Sequence, residues 1–163
     1  MFKNLTVLSA ALIGLAFSQD NTTGVSGGLS GLDAIAARQA GLDMSSITFR
    51  SMGDAMKAGR EAKTQGYAAM VLAKWAKTLP RMFPPGTAQG ETSAFSQALP
   101  LIWRDRANFD TAAANYAAAT AKLSALAAAN DTAGFTTQLE EVNQACGLCH
   151  ARFKAGDQGP PKK

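Results

Sequence analysis

From Ser30 onward, apolar residues recur every three or four positions along this chain, the period of an α-helix, and no strand-like alternation appears. Ile35, Arg38, Leu42, Ser45, Phe49, Met52 and Met56 form one stripe. Ser30 and Asp33 mimic a capping box at its start, so a first helix is predicted from Ser30 to about Lys57. A second helix is predicted from about Glu61 to Leu79, burying Ala68, Val71, Leu72, Trp75 and Leu79 until Pro80 stops it. Residues 80–100, with Pro84-Pro85-Gly86 at their centre, form a long connection. A third helix follows Trp103 and carries Phe109, Ala113, Tyr116, Leu123 and Leu126 on one side. Asn130-Asp131-Thr132 supplies a break and a new N-cap. The fourth stripe, Phe135, Leu139, Val142, Cys146, Cys149 and Phe153, advances in steps of four, three, four, three and four. The expectation is an all-α fold, an antiparallel four-helix bundle with one long crossover.

The chain ends change the picture of where the protein works. Lys3, the apolar run from Val7 to Phe17 and the small-x-small sequence Ala16-Phe17-Ser18 read as a signal peptide over residues 1–18. Its apolar run is too short for a permanent membrane anchor. Export to the periplasm is expected, with no membrane anchor after cleavage. Residues 19–31, rich in Gly, Ser and Thr, read as a flexible lead-in. The bundle is expected over 32–154 and a frayed tail over 155–163. The formal charge of +4 falls to +3 once Lys3 is removed. That balance is no nucleic-acid footprint.

The chemistry is concentrated in Cys146-Gly147-Leu148-Cys149-His150, which contains both cysteines and the only histidine of the chain. C-x-x-C-H is the attachment signature of c-type haem: the thiols add across the two porphyrin vinyl groups, and the adjacent imidazole becomes an axial iron ligand. On a helix the cysteines lie about 60° apart and His150 about 40° from Cys146, so all three reach one face. Other uses of these residues fit less well. Structural zinc wants four Cys or His ligands and only three exist. A thioredoxin-like pair would sit near a βαβ pattern. A local disulfide would leave His150 without a role. The expected cofactor is one haem c, covalent through Cys146 and Cys149, with His150 as proximal ligand.

Only thirteen residues follow His150, and none is methionine. A sixth iron ligand would therefore come from before the motif, which makes the first helix the candidate distal wall. At this point the chain resembles cytochrome c′, the four-helix class of c-type cytochromes. The resemblance spans residues 33–154. It rests on Arg38-Gln39-Ala40-Gly41-Leu42, on Leu79-Pro80 followed by Phe83-Pro84-Pro85-Gly86-Thr87, on Pro100-Leu101-Ile102-Trp103, and on Cys146-x-x-Cys149-His150-Ala151-Arg152-Phe153-Lys154.

The resemblance implies that Leu42 lies over the distal iron face. A hydrocarbon cannot ligate, so a high-spin, five-coordinate haem with an apolar lid is implied. It also implies that Arg38, with help from Gln39, binds a haem propionate; the other reading of Arg38 is a surface residue on an exposed helix end. Lys154 stands where the family often has arginine, keeping the charge but losing the planar fork. Met44 is the competing iron ligand, but it lies about 200° around the helix from Leu42. Met52 and Met56 share the Leu42 face further along and are expected to pack in the core.

Two functions follow. A five-coordinate haem passes single electrons and binds small gases such as NO and CO. The alternative is a low-spin, six-coordinate electron carrier with Met44 on iron. No acid–base group stands beside the motif and no second histidine exists, so a turnover enzyme is not expected. An unidentified periplasmic redox partner is expected. A homodimer through the first two helices is what the family suggests.

Overall fold

The computed structural model describes residues 30–156. The expected signal peptide and most of the lead-in lie outside the described residues, as do residues 157–163 of the expected tail. Three long helices and one shorter helix run through the molecule: α1 (Gly31–Lys57), α2 (Gly66–Thr78), α4 (Arg106–Ala128) and α5 (Thr132–Phe153), with a one-turn helix α3 (Leu101–Arg104) leading into α4. Among the described residues there is no strand, only an isolated antiparallel bridge between Ala98 and Lys154. The all-α expectation holds.

The helix ends follow from local chemistry. Ser30 caps α1, its hydroxyl oxygen accepting from the Asp33 amide at 3.2 Å. At the α4–α5 turn Asn130 takes a left-handed φ of 53°, which a short polar side chain tolerates. The Asp131 carboxylate then caps α5, accepting from Gly134 N at 2.8 Å. Asn130 and Thr132 also accept from the amides of Lys63 and Ala62, satisfying first-turn donors of the 3₁₀ turn Ala62–Gln65 that precedes α2.

Three expectations need correction. The second helix starts later than expected: residues 62–65 form a 3₁₀ turn and α2 begins at Gly66, ending at Thr78 just before Pro80, which sits in a further 3₁₀ turn, Leu79–Met82. Val71 is 39% exposed, and the buried face of α2 is Ala69, Leu72, Ala73 and Ala76 instead. Small side chains let α2 lie close against α4, so alanine rather than the β-branched residue faces in. Finally, the start of the tail is held: Ala155 N donates to Gln97 O at 2.8 Å and Leu99 N to Phe153 O at 3.0 Å.

α4 packs along both α2 and α5, whereas α1 and α5 meet over only a short stretch. The core runs through Leu72, Leu123, Ala127, Phe135 and Val142. At the end of α5, Phe109 stacks edge-on to Phe83 and Phe153 with centroid separations of 4.9 and 5.4 Å. This aromatic cluster joins the crossover, the start of α4 and the end of α5.

Candidate functional site

α5 presents the C-x-x-C-H motif in its last three turns. Cys146 and Cys149 are free thiols, half-buried and packed against the core. Burial pushes both thiols up, Cys149 to about 11 with the neighbouring Cys146 adding to it. His150 lies at the exposed edge of the same helix, one turn after Cys146. Leu148, between the cysteines, is 75% exposed.

Three helices converge at Cys146. Tyr116 of α4 is buried, and its phenol is pushed well above its usual range, mainly by burial and further by Cys146. Ser45 of α1 lies near enough to that phenol to offset part of the shift, and its hydroxyl donates to Gly41 O at 2.6 Å. Leu42, one turn before Ser45, is half-buried and packs on the core, as do Phe49 and Met56. Met44 is 66% exposed, away from this stripe. Met52 is fully buried, as the periodicity predicts.

Arg38 is neither at an exposed helix end nor loosely placed: it is 3% exposed. Its Nη1 donates to Thr87 Oγ1 at 2.7 Å, and its Nη2 to Thr87 O at 2.5 Å and Ser96 Oγ at 2.7 Å. The guanidinium lies 4.8 Å from the Phe83 ring centroid. These partners are all neutral, and no carboxylate among the described residues pairs with it. Burial alone pushes its pKa down. Gln39 Nε2 donates to Phe95 O at 2.6 Å, so both residues grip the crossover.

Nearby, Gly41 has no room for a side chain, because a Cβ there would run into the Trp75 indole. Trp75 Nε1 is buried and has no hydrogen-bond partner. Buried polar groups are ordinarily paired, so this donor stands out.

Thr87, Ser96 and Tyr116 carry no site signal in the sequence: Thr87 stands in the Phe83–Thr87 segment without a role, and nothing joins Ser96 to Arg38 across 58 positions. The residues suit a porphyrin in four respects: two thiols three positions apart, a neighbouring imidazole, an apolar half-buried stripe on α1, and buried donors without an anionic partner.

The comparisons agree. The cytochrome c′ family matches residues 33–154. Cytochrome c′ of Rubrivivax gelatinosus is 32% identical over 125 residues, 75% of this chain and 94% of that protein. Cytochrome c-554 of Cereibacter sphaeroides is 35% identical over 98 residues, 60% of this chain, and the match spans only 63% of that relative. Among solved structures, cytochrome c′ of R. gelatinosus superposes with a TM-score of 0.69 at 28% identity, covering 76% of this chain and 96% of that one. A ferrous variant of cytochrome c prime from Alcaligenes xylosoxidans with bound NO superposes at 0.70 and 26% identity, covering 80% of this chain and all of that one. The match over residues 33–154 and the helical fold place the chain in the cytochrome c′ family, which implies covalent haem c, with Cys146 and Cys149 as the thiols that would hold it.

Proposed function

We propose that this chain is a periplasmic haem c protein with a high-spin, five-coordinate iron, acting in electron transfer and in binding NO and CO rather than as a turnover enzyme. His150 is its proximal ligand and Leu42 its apolar distal lid. The bound haem supplies one-electron exchange and an open coordination position for small neutral molecules.

The observation that carries this reading is the contrast on α1. Leu42 lies on the half-buried stripe and cannot ligate, while Met44, the competing ligand, points to solvent at 66% exposure. Arg38 and Trp75 supply buried donors without an anionic partner, which suits a propionate carboxylate at Arg38. Gln39 supports that arrangement by holding the crossover at Phe95. The NO-bound state of the A. xylosoxidans protein supports the gas-binding half of the proposal.

Export rests on residues 1–18, and no described helix is long and apolar enough to cross a membrane. A homodimer is favoured by exposed apolar side chains on the first two helices: Met44 and Ile47 on α1, Tyr67 and Met70 on α2.

The absorption spectrum of the purified holoprotein tests the reading. A high-spin ferrous spectrum that shifts with NO and, more weakly, with CO is expected, and Met44→Ala should leave it unchanged. A low-spin wild type that Met44→Ala turns high-spin would replace the proposal by the electron-carrier alternative. A chain lacking residues 1–18 should accumulate without covalent haem.

A further inference from the structure

The crossover between Phe83 and Leu99 does more than connect α2 to α3. It is tied at one end to Arg38, one turn before Leu42 on the distal side. At its other end it is tied to the backbone that follows His150. From Arg38 the run of hydrogen bonds is continuous. Arg38 Nη2 donates to Ser96 Oγ at 2.7 Å, and Ser96 Oγ accepts from Ala98 N at 3.2 Å. Ala98 O accepts from Gln89 N at 2.7 Å, closing the loop on itself next to Thr87. Thr87 in turn bonds Arg38 through both its hydroxyl and its carbonyl.

Residues 97–99 then pair with the end of α5. Leu99 N donates to Phe153 O at 3.0 Å and Ala155 N to Gln97 O at 2.8 Å, on either side of the Ala98–Lys154 bridge. Lys154 N donates to His150 O at 3.1 Å, which caps the helix. Arg38, Thr87, Ser96 and Ala98 are all buried. Buried hydrogen bonds of this kind are costly to break, so the strap behaves as a stiff link rather than a surface loop.

Resting on the assignment of His150 as proximal ligand, we propose that Arg38 and Ser96 are positioning residues for His150. Through the strap they fix the last turn of α5 and thereby the orientation of the imidazole. The distal helix and the proximal ligand are thus coupled through the crossover. A group that draws Arg38 away from Thr87 and Ser96 loosens the far side of the haem as well.

The test uses the holoprotein, with Ser96→Ala as first variant and Arg38→Lys as second. Lysine keeps the charge but cannot hold Thr87 and Ser96 together. Thr92→Ala is the control, since Thr92 serves only a local turn through Ala94 N in the same crossover. Two quantities are measured: amide hydrogen exchange at Leu99, Lys154 and Ala155, and the iron–histidine stretching band of the ferrous protein by resonance Raman. Both variants should speed exchange at Leu99 and Ala155 on the order of tenfold. Both should also shift or broaden the iron–histidine band, with covalent haem retained and the control unchanged. Unchanged exchange in both variants would overturn the strap. Faster exchange with an unmoved band would overturn the positioning role. A wild-type protein with no iron–histidine band would overturn the ligand assignment beneath the proposal, an outcome separate from the exchange result.

Discussion

α5 has two flanks, and they are closed in different ways. Toward α4 the contact is complete in protein alone: Leu123, Ala127, Phe135 and Val142 are fully buried. The buried polar groups there are paired, Gln138 with Ala119 O at 3.1 Å and Thr120 with Tyr116 O at 2.9 Å. Toward α1 the apolar residues, Leu42 and Phe49 on one helix and Cys146 and Cys149 on the other, stop at half-burial. One flank is a finished core; the other leaves apolar side chains half-covered, which suits the flat apolar cofactor of the proposed function. A binding site of this kind is recognised less by its polar groups than by apolar surface that the chain does not itself cover.

Separating the flanks by mutation should sharpen that difference. The largest effect belongs to the cofactor flank: Cys146→Ala with Cys149→Ala should abolish covalent haem entirely, read by denaturing electrophoresis with haem staining. Retention of covalent haem would end the assignment. On the finished flank, Phe135→Ala should cost about 3–5 kcal/mol in urea unfolding, the scale of an emptied aromatic site. Phe49→Ala, on the half-buried stripe, should cost clearly less in protein lacking haem, and equal losses would erase the contrast.

Leu42→Ala should raise CO affinity on the order of tenfold by relieving steric crowding over the iron, with little change in unfolding. Leu42→Met should convert the ferrous spectrum toward low spin. An unchanged affinity and spectrum in both would remove Leu42 from the distal face. The smallest effect is Tyr116, where the two flanks meet. Its folded phenol holds its proton more tightly than an unfolded tyrosine, which ionises near pH 10. Stability is therefore full below about pH 10 and falls as pH rises above it, by at most about 1.4 kcal/mol per pH unit. Burial is the main cause of the shift, so the slope should survive conversion of Cys146 to a thioether. Tyr116→Phe should remove it, and a slope that persists in that variant would point to another group.

Local signals were strong wherever chemistry or periodicity is carried by neighbours in sequence. The four stripes placed α1, α2, α4 and α5 close to their observed bounds, because each amphipathic face is written at i, i+3 and i+4. The haem attachment signature was complete in five consecutive residues, and the helical angle put Leu42 and Met44 on different faces, though only the family resemblance pointed to Leu42. What failed to show was set by approach between distant segments. Which side of α2 turns inward depended on how closely alanine lets α4 come, not on hydrophobicity, so Val71 was misplaced. The family resemblance singled out Arg38, but its grip on Thr87 and Ser96 needed the crossover to fold back over 49 and 58 positions. The unpaired Trp75 donor and the bridge from Ala98 to Lys154 likewise exist only once the helices are assembled. The sequence determined the helices, the thiols and the imidazole through short-range geometry. The tertiary structure alone decided the pairing of buried polar groups, because each buried donor binds whatever acceptor the packing of remote segments brings within about 3 Å.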